Sequence, residues 1–337
     1  MRIRLRVDGR MQDYGRLFSH AEEEALMNRI KVLAGLDIAE QRMAQDGAMK
    51  YGILSWDLPE TDIRVATIPT HWGERGTMRI LGQDSEDLSL EQLGMPGDML
   101  FEFRRAIGRP YGMILVTGPT GSGKSTTLYA AIRELKVDAM NVLTVEDPVE
   151  QTVPGVSQVQ VSGKVSFAQA LRSFLRHDPD VILVGEIRDR ETVEIGLRAA
   201  MTGHLVLSTL HTNDSVGAVT RLADIGAERY LIGSTLIGVL AQRLARRLCR
   251  HCRAKRPAQP EELALLGLPP ESGAGIWESR GCSFCLGSGY RGRIGLFEAL
   301  WINRTCVWPL PRARVSGRSG GRPAASGPCG RTAAPRC

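Results

Sequence analysis

The sequence predicts an α/β fold in which helices cover both faces of a parallel sheet, with a smaller α+β region preceding it. Three observations support this prediction. After Met99, short continuous apolar runs alternate with helical stretches, as is typical of strands buried on both faces. A glycine-rich segment joins the first run to a helix. The 337 residues are 43% hydrophobic and 24% charged, which suits a folded chain of about two domains.

Residues 1–97 are predicted to form the smaller α+β domain and a linker. Arg2–Val7 alternates charged and apolar side chains and is followed by Asp8-Gly9, which indicates a strand and a turn. Glu22–Ala34 carries apolar residues at helical spacing. Two further strands are predicted over Asp62–Thr67 and Gly76–Leu81, and the polar, Gly- and Pro-containing residues 83–97 predict the linker.

Residues 98–303 are predicted to form the larger domain. Four apolar runs predict its parallel strands, and no apolar run in the chain reaches the length of a membrane span. The runs are Gly112–Thr117, Asn141–Val145, Val181–Val184 and Leu205–Thr209.

The glycine-rich segment fits the phosphate-loop pattern G-x4-G-K-[ST], and it lies between an apolar run and a helical stretch, as that pattern requires. Its backbone N–H groups are expected to converge on phosphate oxygens at a helix N-terminus. Lys124 would reach the β- and γ-phosphates, and the Ser125 hydroxyl would ligate Mg²⁺. The alternative is a glycine-rich turn that binds nothing. The predicted binding set is Gly118, Pro119, Thr120, Gly121, Ser122, Gly123, Lys124, Ser125 and Thr126.

Acidic residues end two of the predicted strands. Glu186 follows Val181–Val184, and a carboxylate at such a strand end can hold Mg²⁺ or its waters. Glu146 ends another run and could polarise an attacking water, with Asp147 or Glu150 in support. A solvated strand end is the alternative for each segment.

Two histidines and two arginines are further candidates. His204 and His211 bracket the run Leu205–Thr209, where a strand-end histidine can hydrogen-bond a γ-phosphate; a structural role is the alternative. Arg64 and Arg79 lie on predicted strands of the first region. They are either surface arginines or arginine fingers that neutralise transition-state charge.

Four cysteines form two C-x2-C pairs, which predict a tetrahedral structural zinc site in a cytosolic chain. The 29 residues between the pairs exceed the common range, and His251 inside the first pair is the main alternative ligand. A closed site of this kind keeps no open position for catalysis. The predicted ligands are Cys249, Cys252, Cys282 and Cys285.

The net charge of +6 first suggests a nucleic-acid partner. Seven of the 43 basic residues, however, follow Leu300 in a stretch without Asp or Glu, so the first 300 residues carry 36 basic against 37 acidic side chains. Residues 304–337 are therefore interpreted as a disordered basic tail or a frameshifted segment, and no nucleic-acid partner is expected.

The order of these segments is specific. The phosphate loop is followed by TVEDPVE at 144–150, LRHDPDVILVGEIRD at 175–189, TGHLVLSTLHTNDS at 202–215 and the cysteine pairs. Together they resemble the secretion ATPases of type II secretion and type IV pilus assembly, over about residues 1–303. The resemblance implies a RecA-like P-loop NTPase core, a PAS-like N2 domain in front of it and a four-cysteine zinc-binding insertion over 249–285. It also implies that Glu146 is the catalytic glutamate, Glu186 the Walker B glutamate, and Arg64 and Arg79 the γ-phosphate arginines.

The same resemblance implies a cytoplasmic homo-hexamer that is peripheral to the inner membrane through platform proteins, binds ATP, Mg²⁺ and structural Zn²⁺, and powers assembly of a pilus or pseudopilus. The sequence departs from the family at Ala44, where the family has proline, and after about Asn303; the family's platform-docking region is expected to be absent before Met1. Two alternatives stay open: a nucleic-acid-dependent translocase and an inactive, truncated ATP-binding fragment.

Overall fold

The computed structural model describes residues 2–53, 58–80, 88–135 and 139–302. The chain forms two compact units, residues 1–87 and a second unit that begins at Leu88. Leu90 and Leu93, which lie in the stretch predicted as a linker, are buried in the core of the second unit. Residues 83–87 of that stretch and the predicted tail, 304–337, lie outside the described residues.

The first unit contains a β-hairpin, one helix and a three-stranded antiparallel sheet. The helix and the strands predicted from the sequence are present. The first strand has the predicted bounds, and the other two begin earlier than predicted. The sheet order is β3-β4-β5, and β1 pairs with β2. The elements are β1 (Arg2–Val7), β2 (Arg10–Leu17), α1 (His20–Leu33), β3 (Gln45–Ile53), β4 (Leu58–Thr70) and β5 (Gly73–Ile80).

Helix α1 begins with a capping box, because the Ser19 backbone N–H donates to Glu22 and the Glu22 N–H donates to the Ser19 hydroxyl. The helix packs on one face of the sheet, where Met49 and Val65 are buried against it. The opposite face of the sheet is therefore left open to solvent along β4 and β5.

A fully buried lysine lies within this small core. The Nζ atom of Lys31 contacts Glu74 Oε1 at 2.6 Å and donates to the carbonyl oxygen of Glu40 at 2.8 Å. The ammonium group is thus paired with a carboxylate and a carbonyl where solvent does not reach it, as a buried charge requires.

The second unit is built on a seven-stranded sheet of order β14-β11-β6-β10-β9-β7-β8. Its elements are α2 (Gly97–Ile107), β6 (Gly112–Thr117), α3 (Lys124–Glu134), β7 (Val142–Glu146), β8 (Ser157–Gln160), α4 (Phe167–Phe174), β9 (Val181–Val184), α5 (Arg190–Met201), β10 (Leu205–Leu210), α6 (Ser215–Ile225), α7 (Arg229–Thr235), β11 (Leu236–Leu248), β12 (Ala254–Pro257), α8 (Pro260–Leu265), β13 (Gly275–Glu278) and β14 (Tyr290–Trp301).

The four predicted apolar runs are the strands β6, β7, β9 and β10, and they are parallel to one another. The expectation of an all-parallel sheet is wrong at one edge, because β14 runs antiparallel to β11. The sheet is therefore mixed. The small cysteine-containing subdomain, residues 249–289, connects the two strands, and the Cys249 N–H donates to the Gly289 carbonyl oxygen at 2.9 Å. Both ends of this connection therefore lie at the same end of the sheet, as antiparallel neighbours require.

The central strands are apolar along their length because both faces are covered. Ile114 and Val116 of β6 belong to the core on the side of α2 and α3, whereas Met113 and Leu115 belong to the core on the side of α4 and α5. Alternating side chains thus bury on opposite faces. Within the described residues no helix is long and apolar enough to cross a bilayer.

Candidate nucleotide site and candidate metal centre

The phosphate loop lies at the carboxyl end of β6 and leads into α3, which begins at Lys124. Gly123, the residue before the helix, has φ of 86°, a conformation that L side chains rarely adopt. At Gly118 a Cβ atom would lie 2.3 Å from the carbonyl oxygen of Gln242 on β11. Only glycine fits at this close approach, so the loop is held tightly against the neighbouring strand.

The Lys124 ammonium is folded back onto its own loop. Its Nζ donates to the carbonyl oxygens of Gly118 at 2.8 Å and Pro119 at 3.1 Å, and the residue is only 9% exposed. Burial lowers the pKa of Lys124, while the nearby carboxylates of Glu186 and Glu150 oppose that shift. Both acids therefore lie close enough to the lysine to act on its charge.

Among the described residues, the Ser122 hydroxyl is one of few buried polar side-chain atoms without a hydrogen-bond partner. It lies within the loop next to Gly123, where the helix N-terminus presents its N–H groups. A buried orphan hydroxyl and a left-handed glycine backbone at a helix N-terminus suit an anion with several acceptor oxygens. Ser125 and Thr126 follow in the first turn of α3 and are half-buried. The residues of the loop thus fit a nucleotide phosphate.

Glu186 lies two residues after β9, at the same sheet edge as the phosphate loop, with β10 between β9 and β6. Its carboxylate pairs with Arg188 and lies 3.5 Å from His211 Nε2. His211 directly follows β10. The structure therefore brings Glu186, His211 and Lys124 together at the carboxyl edge of the strands, the region in which ligands of open α/β sheets bind.

Glu146 is the last residue of β7 and is 5% exposed. Its Oε1 accepts hydrogen bonds from the Thr144 hydroxyl at 2.6 Å and Gln158 Nε2 at 3.1 Å, and its Oε2 accepts from the Tyr129 hydroxyl. Gly185 lies against it: a Cβ atom there would be 3.3 Å from the Glu146 Cα. The lack of a side chain at Gly185 lets the ends of β7 and β9 approach.

The structure does not bring His204 to this edge. His204 precedes β10, its carbonyl oxygen accepts from the Gly112 N–H at the start of β6, and its Nδ1 bonds the Ala199 carbonyl oxygen at 3.0 Å. The length of the strand places it roughly 20 Å from His211. Within this subunit, His204 is a residue of the opposite sheet edge.

Arg64 and Arg79 lie in the first unit. They are direct cross-strand partners on β4 and β5, and both are exposed. They share the sheet face that α1 does not cover, because Val65, the neighbour of Arg64, is buried beneath the helix.

Three residues around the nucleotide site were not predicted. Tyr129 and Gln158 bind the Glu146 carboxylate, and Gln242 Oε1 accepts from the buried Thr127 hydroxyl at 2.7 Å. Tyr129 follows Lys124 by five residues on one helix, a spacing that carries no motif. Gln158 and Gln242 come from strands whose neighbours are set only by sheet pairing.

The four predicted cysteine ligands meet at one point. Cys249 directly follows β11, and all four sulfur atoms lie within 4.8 Å of one another. Three Sγ–Sγ separations are 4.0 Å (Cys249–Cys282), 3.8 Å (Cys252–Cys285) and 3.7 Å (Cys282–Cys285). A zinc–sulfur bond of about 2.3 Å implies a tetrahedron edge of roughly 3.8 Å. The cysteines thus fit a tetrahedral metal ion.

Backbone N–H groups aim at these sulfur atoms. Burial by itself would raise the pKa of Cys285, but the N–H groups of Cys282 and Gly289 outweigh it and lower that pKa to about 6. Burial raises the pKa of Cys252 to about 11, although the Gly281 N–H opposes the shift. His251, the alternative ligand, instead packs its ring on Phe284 with centroids 4.0 Å apart.

Comparison with known proteins identifies the family. The type II/IV secretion system protein family matches residues 1–310. The chain belongs to this family. It is 48% identical over 305 residues to type II secretion system protein E of Klebsiella pneumoniae, covering 90% of this chain and 60% of that protein. It is 44% identical over 323 residues to the type IV pilus assembly ATPase PilB of Thermus thermophilus, covering 95% of this chain and 35% of PilB.

The chain thus spans about 60% of the length of the Klebsiella relative and about a third of the Thermus one. Among solved structures, it is similar to the pilus retraction motor PilT with bound ADP, at 32% identity and a TM-score of 0.55 over 72% of each chain. The Legionella pneumophila ATPase DotB shares the fold, with a TM-score of 0.61 at 22% identity over 90% of this chain and 76% of that one.

Proposed function

We propose that the chain is an ATP-hydrolysing motor that powers assembly of a pilus or a type II secretion pseudopilus. One observation carries the ATPase proposal: the buried Lys124 ammonium and the Glu186 carboxylate meet at one sheet edge in a member of the secretion ATPase family. The Lys124 ammonium is already buried and hydrogen-bonded to carbonyl oxygens of its own loop. It can therefore replace these bonds by bonds to phosphate oxygens without a further cost of removing the ammonium from water. The assembly role rests on the similarity to the type II and pilus relatives.

In this proposal each residue of the site has a chemical task. The N–H groups of residues 118–125 bind the phosphate chain, and Lys124 neutralises the β- and γ-phosphates. Ser125 and Glu186 would hold Mg²⁺, which supplies further positive charge when bound. Glu146 accepts a proton from the water that attacks the γ-phosphorus, while the bond to the bridging oxygen breaks and ADP leaves. His211, which contacts Glu186, reports the presence of the γ-phosphate to the loop after β10.

The first unit, which ends at Asp87, is proposed to be a PAS-like N2 domain, and the second unit, which begins at Leu88, is proposed to contain a RecA-like core. The contribution of the first unit would be the pair Arg64 and Arg79, which approach the γ-phosphate in the assembled motor. The two residues are direct cross-strand partners on one sheet face, so both guanidinium groups could contact the same anionic phosphate. The assembly proposed is a cytoplasmic homo-hexamer on inner-membrane platform proteins.

The four cysteines are proposed to hold a structural zinc ion through Cys249, Cys252, Cys282 and Cys285. Support comes from their separations, which match the edges of a tetrahedron, and from the N–H donors that favour thiolates. The ion would fasten the connection between β11 and β14, since Cys249 directly follows one of these strands and Gly289, whose carbonyl oxygen accepts from the Cys249 N–H, directly precedes the other.

The central experiment compares Lys124→Ala with Lys164→Ala, a lysine exposed on the surface. Phosphate release and binding of a fluorescent ATP analogue are measured for both variants and for the native chain. We expect Lys124→Ala to abolish turnover and Lys164→Ala to match the native rate. Turnover that persists in Lys124→Ala would place the active site elsewhere. Light scattering with an ATP analogue tests the hexamer, and single-stranded DNA should not stimulate turnover.

A further inference from the structure

The carboxylate of Glu146 is held by three side chains from three different segments. Tyr129 comes from α3, Thr144 from its own strand β7, and Gln158 from the neighbouring strand β8. All of these donors are part of a buried or half-buried network. A carboxylate with this many fixed donors has one defined orientation, because each donor occupies a particular lone-pair direction.

The Tyr129 hydroxyl is the junction of the network. It donates its proton to Glu146 and accepts from the backbone N–H groups of Glu150 at 3.2 Å and Gln151 at 3.3 Å. One donor and two acceptor positions are all that a hydroxyl offers. Burial, together with the bond to Glu146, raises the pKa of Tyr129, so its phenol keeps its proton in the working pH range.

Gln158 closes the network from the other side. Its Nε2 donates to Glu146 and to the Gln151 carbonyl oxygen at 2.9 Å, and its Oε1 accepts from the Val153 N–H at 2.7 Å. The loop that follows β7 is therefore held by two side chains. The Tyr129 hydroxyl bonds the loop backbone at Glu150 and Gln151, and the Gln158 amide bonds it at Gln151 and Val153.

We propose that Tyr129 and Gln158 are positioning residues for Glu146, and that Tyr129 links its orientation to the phosphate loop. The proposal rests on the proposed function. Lys124 begins α3 and Tyr129 lies just over one turn further along the same helix. If phosphate binding at the N-terminus shifts α3, the Tyr129 phenol moves with the helix. Because this phenol bonds the Glu146 carboxylate and the loop after β7, both would respond to the shift.

A purely structural role for the network predicts a different outcome from a positioning role. If Tyr129 only packs, Tyr129→Phe retains the ring and changes little. If it only stabilises the fold, its loss harms binding and turnover together, whatever residue stands at position 146. If it positions Glu146, removal of the hydroxyl lowers turnover while nucleotide binding stays intact, and the effect depends on the Glu146 carboxylate.

The experiment is a double-mutant cycle of Tyr129→Phe and Glu146→Gln, with Tyr230→Phe as the matched control because Tyr230 is 55% exposed. The loss of one hydrogen bond to a charged group should lower kcat on the order of 10-fold, with KM and the ATP-analogue Kd changed less than about twofold. In the Glu146→Gln background the same substitution should have almost no effect on residual turnover. Gln158→Leu should behave like Tyr129→Phe.

Equal effects of Tyr129→Phe in both backgrounds, or a fall in kcat matched by a rise in Kd, would overturn the proposal. Amide hydrogen exchange gives a readout that needs no turnover: the Glu150 and Gln151 amides should exchange faster in Tyr129→Phe and not in Tyr230→Phe. If the native chain neither binds nor hydrolyses ATP, the proposed function is wrong. The exchange rates then decide the positioning proposal, and unchanged rates at Glu150 and Gln151 reject it.

Discussion

Arg64 and Arg79 stand directly opposite each other on two antiparallel strands, and both lie on the sheet face opposite to the one that packs against α1. Both side chains are exposed, and we propose that they bind an anionic phosphate together.

This pair yields the first prediction. Arg64→Gln and Arg79→Gln should each change the melting temperature little, because both side chains are exposed on the surface. Turnover should fall by a factor on the order of 10³ or more if the arginines act on the γ-phosphate. Differential scanning fluorimetry and phosphate release measure the two effects, with Arg75→Gln on the same strand as control. A fall in melting temperature that parallels the loss of activity would indicate a structural role.

The second prediction concerns the buried ammonium of Lys124. Burial lowers the pKa of this group below its ordinary value of 10.5, so its charged form is less favourable in the folded chain than in the unfolded one. Lys124→Met should therefore stabilise the nucleotide-free protein, although it abolishes turnover. Urea unfolding at pH 7 measures the difference, with Lys164→Met as the surface control.

The sign of the pH dependence follows from the same shift. The destabilisation caused by the buried Lys124 ammonium is fully present at a pH below the pKa of Lys124 in the folded chain. It disappears as the pH rises through 10.5, the ordinary pKa of the lysine in the unfolded chain. The advantage of Lys124→Met over the native chain should thus shrink between neutral pH and pH 10.5. A variant that is less stable than the native chain at pH 7 would contradict this account.

The third prediction concerns the ion pair of Lys31 and Glu74, in which the lysine is fully buried. Lys31→Met leaves Glu74 buried without its cation and should cost about 3–5 kcal/mol in the free energy of unfolding. The double variant Lys31→Met/Glu74→Leu should recover most of this loss. The Glu40 carbonyl keeps a donor in both variants, because Gln45 Nε2 also bonds it at 2.9 Å. Urea unfolding followed by circular dichroism tests the pair, and equal stability of the two variants would refute it.

The fourth prediction concerns metal at the four cysteines. Protein purified without chelator should contain about one zinc ion per chain, and a strong chelator should lower the melting temperature, because binding of a structural metal ion adds to the folding free energy. Cys252→Ser should lose zinc and stability, whereas Cys329→Ser, outside the paired pattern, should retain both. Acidification should release the ion, since its ligands are thiolates. Zinc far below one per chain in the native protein would reject the site.

Much of the site was predictable from residues that are close in sequence. The phosphate loop is a local structure, so spacing alone identified residues 118–125 and the helix that follows. Glu146 and Glu186 were predicted to lie together because the carboxyl ends of parallel strands meet at one edge, and the structure places both at strand ends on that edge. The cysteine pairs were found by ligand spacing, and the structure brings their four sulfur atoms together.

Other features were not predictable, because they depend on which strands become neighbours. His204 and His211 looked equivalent at the two ends of one run, yet β10 runs parallel to β6, so only His211 lies at the phosphate-loop edge. The strand β11 was missed because its second half is rich in arginine, and its residues there are exposed or only partly buried. Pairing with β14 gives its backbone the hydrogen bonds that a polar stretch needs.

The sequence by itself determined the local chemistry of this protein: a phosphate loop, two acidic strand ends and two cysteine pairs, each set by short-range spacing and backbone geometry. Only the tertiary structure decided how these parts are held. It placed Tyr129 and Gln158 on the Glu146 carboxylate, folded the Lys124 ammonium onto the Gly118 carbonyl, and opposed Arg64 to Arg79. The physical reason is that a buried polar group must find partners, and those partners are decided by which strands, helices and loops pack side by side rather than by the spacing of a short motif.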